Sequence, residues 1–142
     1  MSYLATKETP LKRIFLIDDD PIYVLLTKKI ISNVTSGFEV SEFGDGQLAL
    51  ERLVDLSQEN AGLPDIIFLD LSMPVMDGWE FLAEYSLLKK SLKKEIILYI
   101  VSSSISPREV ERSKEYHEVV DFLIKPLEKE TIAGIMQNIK EK

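Results

Sequence analysis

Short apolar runs alternate with longer amphipathic stretches along the chain, and this alternation limits the possible fold more than any other feature. Three of the runs, IFLI, IIFL and IILYIV, are apolar throughout. This is typical of strands that helices cover on both faces of a parallel sheet. The mixed run FEVSEF suits an edge strand instead. We therefore predict an α/β fold with strands at Arg13–Ile17, Phe38–Phe43, Asp65–Leu69, Ile96–Val101 and Val119–Ile124.

Helix signals fill the intervals between these runs. Asp20 followed by Pro21 provides an N-cap and a first helical residue. Ser106 and Pro107 repeat this signal before a fourth helix, PREVERSKEY, which is polar on nearly all sides. Five strand–helix units in strict alternation predict an open parallel sheet wound on both faces. Helical spacing indicates inner faces at Ile22, Leu25, Leu26 and Ile30 in the first helix, and at Ile132, Ile135, Met136 and Ile139 in the last.

Size and composition restrict the function. With 142 residues, we expect an N-terminal tail at 1–10 and a single domain at 11–142 without an output domain. The absence of cysteine excludes disulfides and thiolate metal sites, and a lone histidine, His117, excludes multi-histidine sites. A net charge of −7 disfavours nucleic acid, and no run approaches the roughly 20 apolar residues of a membrane helix. We expect a cytoplasmic protein that binds neither nucleic acid nor a membrane.

Polar residues follow four of the predicted strands. The first strand leads into Asp18–Asp20, the third into Asp70, the fourth into Ser102–Ser104 and the fifth into Lys125. In doubly wound sheets the functional crevice lies beyond the carboxyl ends of the strands. Carboxylates, a hydroxyl and an ammonium group gathered there are the groups that a divalent cation and a phosphoryl group require. Glycine-rich phosphate loops are missing from the sequence, which disfavours nucleotide binding.

Four segments together resemble the receiver domain of two-component response regulators: FLIDDDP, FLDLSMPVMDGWEFL, VSSS and FLIKPL. The resemblance extends from Lys12 to Lys140. It implies a flavodoxin-like (βα)5 fold with strand order 2-1-3-4-5. It also implies a signalling module, not a metabolic enzyme, that accepts a phosphoryl group from a histidine kinase or a phosphotransfer protein. Phosphorylation would then switch partner binding, or the phosphate would be passed on.

The resemblance also implies roles for the acidic residues. Asp70 would be the phosphoryl acceptor, with its carboxylate attacking the phosphorus. Asp18 and Asp19 would bind Mg²⁺ together with Asp70, and the backbone carbonyl of Ser72 would complete the protein ligands. This assignment gives the clustered carboxylates of the first strand a reason to be close together, because a cation belongs among them.

The remaining implied roles concern the phosphoryl group and the response to it. Ser102 would donate its hydroxyl to the phosphoryl oxygens and Lys125 would pair with them. The neighbouring Ser103 is an open alternative for the hydroxyl, because three serines follow one another. Phe122 stands where the family has a switch aromatic, and it would respond together with Ser102. Phenylalanine has no hydroxyl, so packing alone would separate its rotamers.

Two other functions remain open at this point. One is a receiver-like module that binds partners without being phosphorylated. The other is a phosphohydrolase of the haloacid dehalogenase type, because Asp18–Asp20 satisfies a D-x-D motif after a strand. Against the hydrolase, the sequence has no suitably placed acidic pair after a later strand.

Overall fold

The computed structural model describes residues 12–59, 61–104 and 106–140, and the predicted tail at 1–10 lies outside these ranges. The strands are β1 (Lys12–Ile17), β2 (Phe38–Phe43), β3 (Ile66–Asp70), β4 (Ile97–Ser102) and β5 (Val119–Ile124). The helices are α1 (Pro21–Val34), α2 (Gly46–Glu59), α3 (Gly78–Leu88), α4 (Pro107–Ser113) and α5 (Lys129–Lys140), with a 3₁₀ turn (Lys89–Ser91) after α3. All strand pairs are parallel and the order is β2-β1-β3-β4-β5, which confirms the predicted fold.

Helices cover the central strands on both faces, and alternate residues of a strand enter two separate cores. In β1, Phe15 and Ile17 face the core beneath α2 and α3. Ile14 and Leu16 face the core beneath α1 and α5. All four side chains are at most 2% exposed. The continuous apolar runs therefore have the physical cause that the sequence indicated, since both faces of these strands are buried.

The inner face of α1 differs from the prediction. Ile22, Leu25 and Leu26 are 70%, 62% and 55% exposed, and Ile30 is only partly buried. The buried residues are instead Val24, Thr27 and Ile31. Both sets have helical spacing, because α1 carries apolar side chains on two faces. The packing of α1 against β1 and α5 selects one of them, and the other is left as an apolar stripe in water.

The last two helices match their predictions to different degrees. The stripe of α5 is buried as predicted, with its four members between 0% and 8% exposed. Helix α4 begins at Pro107, and the Ser106 side chain accepts a hydrogen bond from the Glu109 N–H as its N-cap. The helix ends after seven residues, earlier than the predicted PREVERSKEY stretch. It contacts α3 through Arg112, whose guanidinium lies 4.2 Å from the centroid of the Trp79 ring.

The β3–α3 loop is held tightly under the carboxyl edge of the sheet. Its Gly78 N–H donates to the Leu71 carbonyl at 3.0 Å, and a Cβ on Gly78 would stand 2.6 Å from the Asp70 carbonyl oxygen. Only glycine permits this approach. Val75, in the same loop, is 80% exposed and has a φ of 66°, a left-handed conformation that a β-branched residue rarely adopts. The loop therefore stores some backbone strain.

Candidate functional site

Three carboxylates meet at the carboxyl edge of the sheet. Asp70 is the last residue of β3 and Asp18 follows β1, and these two strands are hydrogen-bonded neighbours, with Ile17 opposite Leu69. One oxygen from each of Asp18, Asp19 and Asp70 lies within 4.8 Å of the others. Asp18 and Asp70 are buried, whereas Asp19 is exposed. The structure thus brings together the three side chains that the sequence assigned to a metal site.

Lys125 joins this cluster from the far side of β4. Its Nζ lies 2.6 Å from Asp18 Oδ2 and 3.4 Å from Asp70 Oδ1. The lysine follows β5, and its backbone N–H donates to the Ser102 carbonyl at 2.8 Å. Its side chain therefore crosses the end of β4 to reach β3 and β1. One ammonium group therefore forms ion pairs with two buried carboxylates.

The cluster has too little positive charge for its carboxylates. Burial and the neighbouring Asp18 raise the pKa of Asp70 from 3.8 to about 6, although Lys125 and the nearby backbone of Ser72 oppose this shift. Burial by itself lowers the pKa of Lys125, but its close ion pair with Asp18 and the charge of Asp70 outweigh burial and raise it. A divalent cation would remove the deficit, and carboxylate oxygens at this spacing are the ligands that hard cations prefer. The residues present therefore fit such an ion.

Asp20 lies beside the cluster, but its side chain is the N-cap of α1. Its side chain caps α1 and accepts hydrogen bonds from the N–H groups of Ile22 and Tyr23 at 3.0 and 3.2 Å. Its own N–H donates to Asp18 Oδ1 at 2.9 Å, which fixes the orientation of that carboxylate. The start of α1 therefore positions the Asp18 carboxylate.

The candidate hydroxyl and the candidate switch residue lie on the two strands beyond Asp70. Ser102 is the last residue of β4, one position past the residue opposite Asp70, and it is buried, whereas Ser103 is exposed. The Ser102 Oγ donates to the Ser104 carbonyl at 3.1 Å. Phe122 lies on β5 opposite Ile100 and is partly buried against the core beneath α2 and α3.

One neighbour of the site was missed by the sequence reasoning. The ring centroid of Tyr23, on the first turn of α1, lies 4.4 Å from Lys125 Nζ. Burial raises the pKa of Tyr23 to about 12; nearby Thr27 lowers it, although this pair falls short of hydrogen-bond geometry, and the charges of Asp18 and Asp70 raise it further. In the sequence this tyrosine is one more large residue in PIYVLL, with no signal that it faces a lysine a hundred positions away.

A sequence model of the response regulator receiver domain matches residues 14–137. The chain belongs to this family. It is a receiver domain of two-component systems, a domain that response regulators among its relatives share. No helix within the described ranges is both long and apolar enough to cross a membrane.

Similar proteins share both sequence and fold with this receiver domain. A probable methanogenesis regulatory protein, FilR2 of Methanothrix harundinacea, is 28% identical over 90% of this chain and 81% of its own. A two-component response regulator from Cytophaga hutchinsonii has a TM-score of 0.82 at 25% identity, covering 94% of this chain and 100% of that one. The phosphorylated cyanobacterial phytochrome response regulator RcpA has a TM-score of 0.73 at 31% identity, covering 92% of each chain.

Other curated relatives are much longer than the region they share. The chain spans 30% of a protein-glutamate methylesterase of Syntrophomonas wolfei and 20% of a rice two-component response regulator.

Proposed function

We propose that this receiver domain accepts a phosphoryl group on Asp70 from a phosphohistidine of a histidine kinase or phosphotransfer protein, in a Mg²⁺-dependent reaction. The observation that carries the proposal is the meeting of Asp18, Asp70 and Lys125 at one edge of the sheet. Phosphorylation would then switch the binding of a partner, or the phosphate would be passed on. The phosphorylated state of RcpA, at 31% identity, supports the same chemistry in a similar chain.

The reaction is a transfer between two residues. A carboxylate oxygen of Asp70 attacks phosphorus as the phosphorus–nitrogen bond of the phosphohistidine breaks, and the departing electron pair stays on the imidazole nitrogen. Asp18, Asp19, Asp70 and the Ser72 backbone carbonyl would hold Mg²⁺, and the ion would supply positive charge to the transferring group. The Lys125 ammonium, already 3.4 Å from Asp70, supplies further positive charge from the protein.

The acyl phosphate adds about one to two negative charges beside Lys125 and Ser102. The ammonium, now closer to Asp18 than to Asp70, would move toward the new charge. The Ser102 hydroxyl would leave the Ser104 carbonyl and donate to a phosphoryl oxygen. Because these groups end β4 and β5, their movement changes the packing around Phe122. The chain therefore has the parts of a two-state switch that a local charge biases.

The exposed apolar stripe of α1, formed by Ile22, Leu25 and Leu26, would be a docking surface for the phosphodonor. Ile22 lies two residues after the N-cap Asp20, and Leu25 and Leu26 continue the stripe by one turn. A donor histidine must reach Asp70, so the donor surface around that histidine would contact the neighbourhood of the site, which includes the start of α1. Burying an apolar stripe against that helix would give the encounter affinity and orientation.

A mass-spectrometric experiment tests the phosphorylation. The protein is incubated with Mg²⁺ and acetyl phosphate, and its intact mass is followed with time. We expect a single phosphoryl adduct that Asp70→Asn abolishes and Asp20→Asn, which removes only a capping carboxylate, retains. Labelling that depends on Asp18, together with turnover of phosphate esters, would indicate a hydrolase. The absence of any adduct would leave only a binding module and would refute the proposal.

The proposed docking surface on α1 is tested with a phosphorylated histidine phosphotransfer protein that labels the wild type. Leu25→Ser should slow this transfer about tenfold and leave labelling by acetyl phosphate unchanged. Leu87→Ser is the matched control, because Leu87 is 64% exposed near the end of α3. Equal slowing of phosphotransfer in both variants would contradict a docking surface on α1.

A further inference from the structure

The ammonium of Lys125 has three neighbours, and one of them is aromatic. Asp18 lies 2.6 Å away and Asp70 lies 3.4 Å away. The third neighbour is the face of Tyr23, whose ring centroid is 4.4 Å from the nitrogen. A cation over the negative face of an aromatic ring is attracted to it, and the attraction is strongest where water is excluded. The Lys125 side chain is 15% exposed, so this contact is largely shielded from solvent.

The position of Tyr23 is set independently of Lys125. Its backbone N–H donates a hydrogen bond to Oδ1 of Asp20, the N-cap of α1, at 3.2 Å. Its ring is partly buried against the core beneath α1 and α5. The phenol oxygen is buried and finds no hydrogen-bond partner among the residues that the structure describes. The contact with Lys125 is therefore made by the aromatic ring, while the hydroxyl forms no hydrogen bond among those residues.

We propose that Tyr23 is a positioning residue for phosphoryl transfer: its ring holds the Lys125 ammonium so that the N–H groups point at Asp18 and Asp70. This inference rests on the proposed phosphorylation of Asp70. Without the ring, the flexible lysine stem allows the ammonium to turn toward water. The ammonium then spends less time beside the oxygens on which charge develops, and transfer slows. Because the ring belongs to α1, the same contact links the lysine that follows β5 to the helix proposed to contact the donor.

The first test changes the electrons of the ring and keeps its size. Phenylalanine and its mono-, di- and trifluoro derivatives are incorporated at position 23, and labelling by acetyl phosphate with Mg²⁺ is timed by intact mass. Successive fluorines weaken the negative face of the ring, so the rate should fall stepwise, by about three- to tenfold across the series. Tyr23→Phe itself should stay within about twofold of the wild type. A flat series would overturn the inference.

The second test needs no phosphorylation. Urea unfolding of the metal-free protein is measured for Tyr23→Leu, Lys125→Met and the double variant. If Tyr23 and Lys125 interact, the effects of the two substitutions on the unfolding constant will not simply multiply. We expect the double variant to differ from the product of the single effects by about three- to tenfold. Phe38→Leu replaces Tyr23→Leu in a control cycle, because Phe38 packs against the same core from the start of β2. Multiplicative effects in the first cycle would show that Tyr23 only packs.

The outcomes separate the two proposals. If wild-type protein takes up no phosphoryl group, the proposed function fails and the role of Tyr23 in transfer fails with it. If the wild type is labelled at Asp70 while the fluorinated series is flat or the cycle multiplicative, only the role of Tyr23 fails.

Discussion

Replacing Asp70 with asparagine should stabilise the metal-free protein at neutral pH, although it removes the proposed phosphoryl acceptor. The carboxyl of Asp70 has its pKa raised from 3.8 to about 6, because it is buried beside Asp18. The folded state therefore holds this proton more tightly than the unfolded state does. The stabilising contribution of the group is complete below pH 4 and is lost as the pH rises through 6.

The size of the effect follows from the shift. A difference of about two pKa units corresponds to about 3 kcal/mol at one group, since each unit is worth 1.36 kcal/mol. The opposing attraction of Lys125 is already included, because it lowers the pKa of Asp70. Asparagine removes the charge but keeps most of the volume. We therefore expect Asp70→Asn to raise the free energy of unfolding by about 1–3 kcal/mol at pH 7.5 and by much less at pH 4.5.

Urea denaturation with EDTA at the two pH values measures this difference. Saturating Mg²⁺ should reverse the order if it binds the wild type as proposed, because binding at 1,000 times Kd adds about 4.1 kcal/mol, more than the gain expected for the variant. Asp20→Asn serves as the control, since its carboxylate only caps α1. A variant that is less stable than the wild type at pH 7.5 without metal, or equally changed at both pH values, would refute the account of the site as short of positive charge.

Three further predictions concern stability and are read by urea denaturation. Val75→Gly should stabilise the protein by about 0.5–1 kcal/mol, because relief of the strain at φ 66° exceeds the entropy cost of glycine; a loss of stability would contradict strain at this position. Gly78→Ala should cost about 1–3 kcal/mol, because its Cβ would meet the Asp70 carbonyl oxygen at 2.6 Å; a neutral result would mean that the loop adjusts freely. Ile31→Ala should cost about 2–5 kcal/mol while Leu25→Ala stays within about 0.5 kcal/mol, and the reverse order would restore the inner face first predicted for α1.

The site was predictable because it is built at strand ends. A strand buried on both faces is a continuous apolar run, so its end is visible in the sequence as the first polar residue. This located Asp18 and Asp70 closely, and Asp70 proved to be the final residue of its strand. Parallel strands place all such ends on one edge of the sheet, so distant residues could be assigned to a common site before any distance was known.

The orientation of α1 was less predictable, because its sequence has more than one apolar face. Helical spacing reports that a face is apolar, and in α1 two faces qualify, so the sequence favoured Ile22 and Leu25 where the structure buries Val24 and Ile31. The choice depends on which stripe completes the core with α5, and that is a property of the assembled layers.

The sequence by itself determined the order of strands and helices along the chain, the family, and the chemical groups available for the proposed phosphoryl transfer. Each of these depends on local periodicity or on residue identity, which a linear chain displays directly. Only the tertiary structure decided which side of α1 faces water, that Lys125 lies closer to Asp18 than to Asp70, and that Tyr23 covers the ammonium. These features depend on distances between segments far apart in the chain, and packing of the whole sheet with its helices sets those distances.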